Sequence, residues 1–136
     1  PAARRSKGKQ ADSQDSLYIT DTLGDIESLF AVADIVFLGG SLVPLGGHNP
    51  VEPAAYGTPL LTGPHIFKNR TEFDSLQKAG VAHVVVDADS FVETAQKLVA
   101  DPKQRSRIAS NARKFTAKAS KRAKLAAKSC LALLQD

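Results

Sequence analysis

Cysteine occurs once in these 136 residues, as Cys130, which excludes an internal disulfide and a cysteine metal cluster. A lone thiol suits a reducing compartment, so the cytoplasm is the expected setting. No apolar run approaches the roughly 20 residues needed to cross a bilayer, and residues 1–10 have no apolar core of a signal peptide. This piece is therefore expected to be soluble. Its three histidines are scattered, with neither HxH nor HExxH spacing, so no metal site is expected. A Ser-His-Asp order, a P-loop and a GxGxxG fingerprint are also missing, which removes hydrolase, NTPase and dinucleotide-dehydrogenase readings. Ser41 does not stand in a nucleophile elbow.

Acidic residues are absent from residues 102–135, whereas ten of the eighteen Lys and Arg fall within residues 103–128. The formal charge of +4 thus hides a basic tail on a near-neutral body. Such a tail suits an anionic membrane, nucleic acid or an acidic partner, but a solvated helix face explains it as well. Arg107, Lys114, Lys118, Lys121 and Lys128 are not expected to share one helical face.

A 43% hydrophobic content is enough for one core. Residues 1–16 hold little to bury and are expected to be flexible. From Leu17 the chain alternates apolar runs with helical patterns, as parallel α/β sheets do. Strands are expected at residues 17–20, 35–38, 59–62 and 83–86, with helices at residues 25–33 and 71–79. A further short helix is expected with Asn49 as cap and Pro50 at its first position. The expected fold class is α/β: a Rossmann-like parallel sheet over residues 17–100, followed by basic C-terminal helices over residues 101–136. Asp101-Pro102 separates two helices, and the stripes Ile108, Ala112, Phe115, Ala119 and then Leu125, Ala126, Cys130, Leu133, Leu134 are expected to pack on the domain.

The densest chemical signal lies in Gly39-Gly40-Ser41 and Gly46-Gly47-His48-Asn49-Pro50-Val51-Glu52-Pro53. Glycines at a strand end let a ligand approach the backbone and leave N–H groups for a phosphate or carboxylate. The second pair stands before a helix N-terminus, which also favours an anion. Both pairs fall at expected carboxyl ends of parallel strands, where open α/β sheets bind ligands. Tight turns alone would also use such glycines. Glu52 fits two roles: a capping box with Asn49, or a carboxylate accepting from ribose hydroxyls. His48 and His65 flank proline turns, where an imidazole can donate to a phosphate or sugar oxygen; His83 begins a strand and reads as structural. Residue chemistry stops at an anion-binding α/β module.

The segment from Asp21-Thr22-Leu23-Gly24-Asp25 through Ala33-Asp34-Ile35-Val36-Phe37-Leu38-Gly39-Gly40-Ser41 to Gly47-His48-Asn49-Pro50-Val51-Glu52-Pro53 resembles the 3-deoxy-D-manno-octulosonic acid (Kdo) transferase family. The likeness continues through Gly63-Pro64-His65 and covers roughly the first 87 residues. It implies the C-terminal half of a GT-B glycosyltransferase that holds CMP-Kdo and needs no metal or other cofactor. Gly39, Gly40, Ser41 and Gly47 would face the donor phosphate or carboxylate, with His48, Asn49 and His65 beside them. Glu52 would hold the ribose, and Leu23 and Gly24 would approach the cytosine.

The resemblance further implies transfer of Kdo to a lipid A precursor at the cytoplasmic face of the bacterial inner membrane, for lipopolysaccharide. The acceptor contacts and the catalytic base would belong to an N-terminal half, so the isolated chain is expected to bind without turnover, and nucleic acid is not an expected partner. A stand-alone module for a nucleotide or anionic sugar is the alternative. Two departures stand out: Lys68 and Asn69 occupy the positions of an Asn-Phe pair, and Asp25 replaces the usual Glu.

Overall fold

The computed structural model describes residues 1–8 and 10–133, except the side chain of Leu133. These form two compact units, divided between Val32 and Ala33. In the first unit, β1 (Ala2–Arg4) pairs in parallel with β2 (Leu17–Ile19), and α1 (Ile26–Val32) follows. In the second, β3 (Val36–Leu38), β4 (Leu60–Thr62) and β5 (Ala82–Val84) form a parallel sheet in that order. Its helices are α2 (Val51–Ala55), α3 (Arg70–Lys78), α4 (Ala88–Ala100) and α5 (Pro102–Leu133). The expected parallel α/β architecture is present, although the strands divide into two sheets.

Residues 2–7 differ from expectation. Ala3 is buried in β1, and the turn after it is tied down by polar side chains: Ser6 Oγ donates to Asp21 at 2.7 Å, and Arg5 pairs with Asp25 at 3.3 Å. Ala-Ala-Arg has little strand propensity of its own; the ladder to β2 supplies what the side chains do not signal.

β4 is the middle strand of its sheet, and Leu60, Leu61 and Thr62 are all buried, as a strand covered on both faces requires. Phe73 and Leu76 of α3, Leu98 of α4, and Ile108 and Ala112 of α5 complete the core around them. Phe37 and Phe91 meet edge to face at 5.4 Å. Asp87 caps α4 through a reciprocal arrangement with Ser90, and Asp101 accepts from the Gln104 N–H at 2.9 Å just before Pro102 opens α5.

The first stripe of α5 packs as expected: Ile108 and Ala112 are buried, and Phe115 and Ala119 half-buried. The second does not. Leu125 is 58% exposed, Ala126 and Cys130 are also exposed, and the Leu133 side chain and Leu134 lie outside the described residues. At about 1.5 Å per residue the helix outruns the elements that cover its first turns.

The five cations also depart from expectation. Arg107, Lys114, Lys121 and Lys128 recur every seven residues on one unbroken helix, which drifts by only ~20° per heptad. With Lys118 they do share a face.

Candidate functional site

β3 and β4 end side by side, and the loops that leave them are stitched together through Ser41. Its buried hydroxyl donates to the Leu38 carbonyl and accepts the Gly63 N–H at 2.8 Å. Its carbonyl accepts the His65 N–H at 2.9 Å. A Cβ on Gly63 would collide with that same carbonyl, so glycine permits the two backbones to touch. Sequence reasoning did not single out Gly63; its place directly after a strand run was the available signal.

The β3 loop then closes on itself, with the Gly47 N–H donating to the Gly40 carbonyl at 3.0 Å. Gly40, Gly46 and Gly47 have φ of 68°, 94° and 72°, values that L side chains rarely adopt. A Cβ on Gly46 would lie 2.6 Å from Cγ of Lys68 and 2.9 Å from Phe67. This glycine therefore makes room for the neighbouring loop. Gly39 has an ordinary φ, and its missing Cβ faces the His48 ring at 3.6 Å. His48, Asn49 and Glu52 are exposed and follow one another past the loop, while His65 is half-buried.

Asn49 and Glu52 do not form the expected capping box in its reciprocal form. The helix α2 begins at Val51, with Pro50 as its cap and no side-chain cap bond from it. Asn49 Oδ1 accepts the Val51 N–H at 3.0 Å, and Asn49 Nδ2 donates to Glu52 Oε1 at 2.9 Å. Glu52 thus reaches the Asn49 side chain in place of its backbone. Its carboxylate stays exposed, with acceptor capacity left for hydroxyl groups. Since α2 is five residues long, its dipole adds little, and an anion at this loop would have to be met by loop amides and the imidazole.

Val36 to Phe67 contains one formally charged residue, Glu52. Such a site suits a ligand read by amides and polar side chains at an accessible backbone. Leu42, Val43 and Leu45 are exposed on the same loop, at 42%, 52% and 62%.

Leu23 and Gly24 belong to the first unit. Leu23 is fully exposed, and Gly24 has φ of 90° in the turn before α1. Thr22 donates to Asp25; this bond, then the bond from Arg5, holds the Asp25 carboxyl below the ordinary range. His83 sits on β5 with Nε2 buried and without a hydrogen-bond partner, and burial lowers its pKa. Among the described residues no group of three His, Cys, Asp or Glu could hold a metal ion.

Residues 6–115 match the family model described as glycosyl transferases group 1. A 3-deoxy-D-manno-octulosonic acid transferase of Bordetella pertussis is 36% identical over 85% of this chain and 27% of its own length. Another from Haemophilus influenzae is 34% identical over 77% of this chain and 25% of its own. The chain therefore spans about a quarter of these curated relatives. Among solved structures, the C-terminal CMP-Kdo binding domain of WaaA from Acinetobacter baumannii matches with a TM-score of 0.79 and 29% identity, covering 83% of this chain and 59% of that one.

Proposed function

The chain belongs to the glycosyl transferases group 1 family, and on that premise we propose that it is the CMP-Kdo-binding part of a Kdo transferase. What carries this reading is the pair of loops after β3 and β4, joined through Ser41 and Gly63, in a chain that shares its fold with a CMP-Kdo binding domain.

In this proposal the amides of Gly39 and Gly40 receive the donor phosphate or the Kdo carboxylate, while Gly47, whose N–H is committed to the Gly40 carbonyl, shapes the loop that faces them, with His48, Asn49 and His65 at the same loops. Glu52 accepts from the ribose hydroxyls, a charge-assisted bond that its exposure leaves open. Leu23 and Gly24 are proposed to contact the cytosine. Ser41 works mainly through its backbone partners, because its hydroxyl donor is already committed.

Kdo then passes to a lipid A precursor, with the acceptor contacts and the general base supplied by sequence outside these residues. This is a step of lipopolysaccharide biosynthesis, proposed to occur at the cytoplasmic face of the bacterial inner membrane, with α5 turned to the anionic surface. The isolated chain binds donor and does not turn it over.

Fusing the chain to the N-terminal half of a Kdo transferase tests the proposal. Kdo transfer that is lost with Glu52→Gln is the expected result. A folded fusion that binds CMP-Kdo and transfers nothing would favour a stand-alone binding module instead.

A further inference from the structure

Along α5, Arg107, Lys114, Lys118, Lys121, Arg122 and Lys128 fall within an arc of about 120° at the helical repeat. All six are exposed, and among the described residues none has an ion-pair partner. Like charges one turn apart repel, as at Lys114, Lys118 and Arg122, and α5 contains no acidic residue to offset them.

Half of this row borders one or other of two adjoining hollows. Between α3 and α5 opens a groove of about 570 Å³, whose walls place Lys78 of α3 with Lys118 and Arg122 of α5. Glu72 is its one carboxylate. Phe115, Ala119 and Val51 give it an apolar lining. A smaller hollow of about 390 Å³ shares Lys78, Phe115 and Lys118, and adds Lys114 and Asn111. Cations surrounding an apolar floor match a ligand that is anionic at one end and hydrocarbon at the other.

We propose that this groove binds the phosphate headgroup of an anionic phospholipid, with Lys78, Lys118 and Arg122 on the phosphate and the start of an acyl chain along Phe115 and Ala119. A free phosphate would leave the apolar floor unused. Nucleic acid is the poorer match, because Phe115 is the one aromatic residue of α5 and offers no row of stacking platforms. Past the groove, Leu125 stands 58% exposed within the arc of the cation row, which adds apolar surface on that face of α5. The proposal deepens the placement of α5 at an anionic surface and rests on that placement, while none of the groove residues named here is a proposed donor contact.

The test is an amide-shift titration of the full chain with dihexanoyl phosphatidylglycerol below its micelle concentration. Parallel arms use dihexanoyl phosphatidylcholine, inorganic phosphate and a single-stranded RNA oligonucleotide. The expected result is saturable shifts at residues 71–78 and 111–122 with phosphatidylglycerol alone. The double variant Lys118→Gln, Arg122→Gln should weaken binding about tenfold or more, and the opposite-face pair Arg113→Gln, Lys124→Gln less than about threefold. The inference is overturned if phosphatidylcholine or phosphate produces the same shifts, if RNA binds these residues more tightly than the lipid, or if the two double variants bind alike. Because these side chains are exposed, both variants should melt like the wild type; CMP binding on the same samples keeps a failure here separate from a failure of the donor site.

Discussion

The backbone carbonyl of Ser41 occupies the space where a Cβ on Gly63 would stand, so the loops after β3 and β4 approach as closely as two chains can. The contact fixes the floor of the proposed donor site. Gly63→Ala forces backbone against backbone with no flexible side chain to yield. Destabilisation of about 3 kcal/mol or more is expected, measured by denaturant unfolding. Gly39→Ala, whose Cβ meets the His48 ring at an ordinary 3.6 Å, should cost far less.

Ser41→Ala removes a buried hydroxyl that serves two backbone groups, Leu38 C=O and Gly63 N–H. Leaving such groups unpaired costs about 1–3 kcal/mol. A lowered melting temperature is therefore expected. Unchanged stability with lost CMP binding would make Ser41 a direct ligand contact.

Glu52→Gln should leave the fold nearly intact, within about 0.5 kcal/mol, since the amide oxygen can still accept from Asn49 on the protein surface. CMP affinity should fall about tenfold or more if the charge serves the ribose, the loss expected for a hydrogen bond to a charged group. Melts and titrations on one sample separate the two roles.

His83 gives the stability a pH dependence. Burial lowers its pKa below the ordinary value near 6.5, so the unfolded chain takes up its proton first as pH falls. The neutral ring's contribution is complete above that value and is lost as pH descends toward the folded pKa. The wild type should therefore melt lower at pH 5.5 than at pH 7.5, and His83→Leu should lessen the difference. An equal pH difference in both proteins would contradict the assignment.

Much of this architecture was legible because β-branched runs and their turn residues carry it. The expected strands at residues 35–38, 59–62 and 83–86 lie within one or two residues of β3, β4 and β5. β1 was not legible: Ala2, Ala3 and Arg4 form a strand through pairing with β2, a partner no local pattern announces. The glycine pairs mark a loop in which Gly40, Gly46 and Gly47 do take positive φ, yet Gly46 also accommodates Lys68 and Phe67, a tertiary reason invisible in a loop motif. The α5 cations were misjudged because phase over an unbroken 32-residue helix matters more than their spacing pair by pair. Leu125 and Cys130 show the converse, since an apolar stripe says nothing about whether a neighbour reaches that far.

The most direct measurement is an amide-shift titration of the chain with CMP-Kdo, with UMP as control. Saturable shifts are expected at residues 39–41, 47–52 and 63–65 with CMP-Kdo, weaker ones with UMP, and loss of binding in Glu52→Gln. Shifts confined to residues 103–128, or equal binding of CMP-Kdo by wild type and Glu52→Gln, would contradict the proposed donor site.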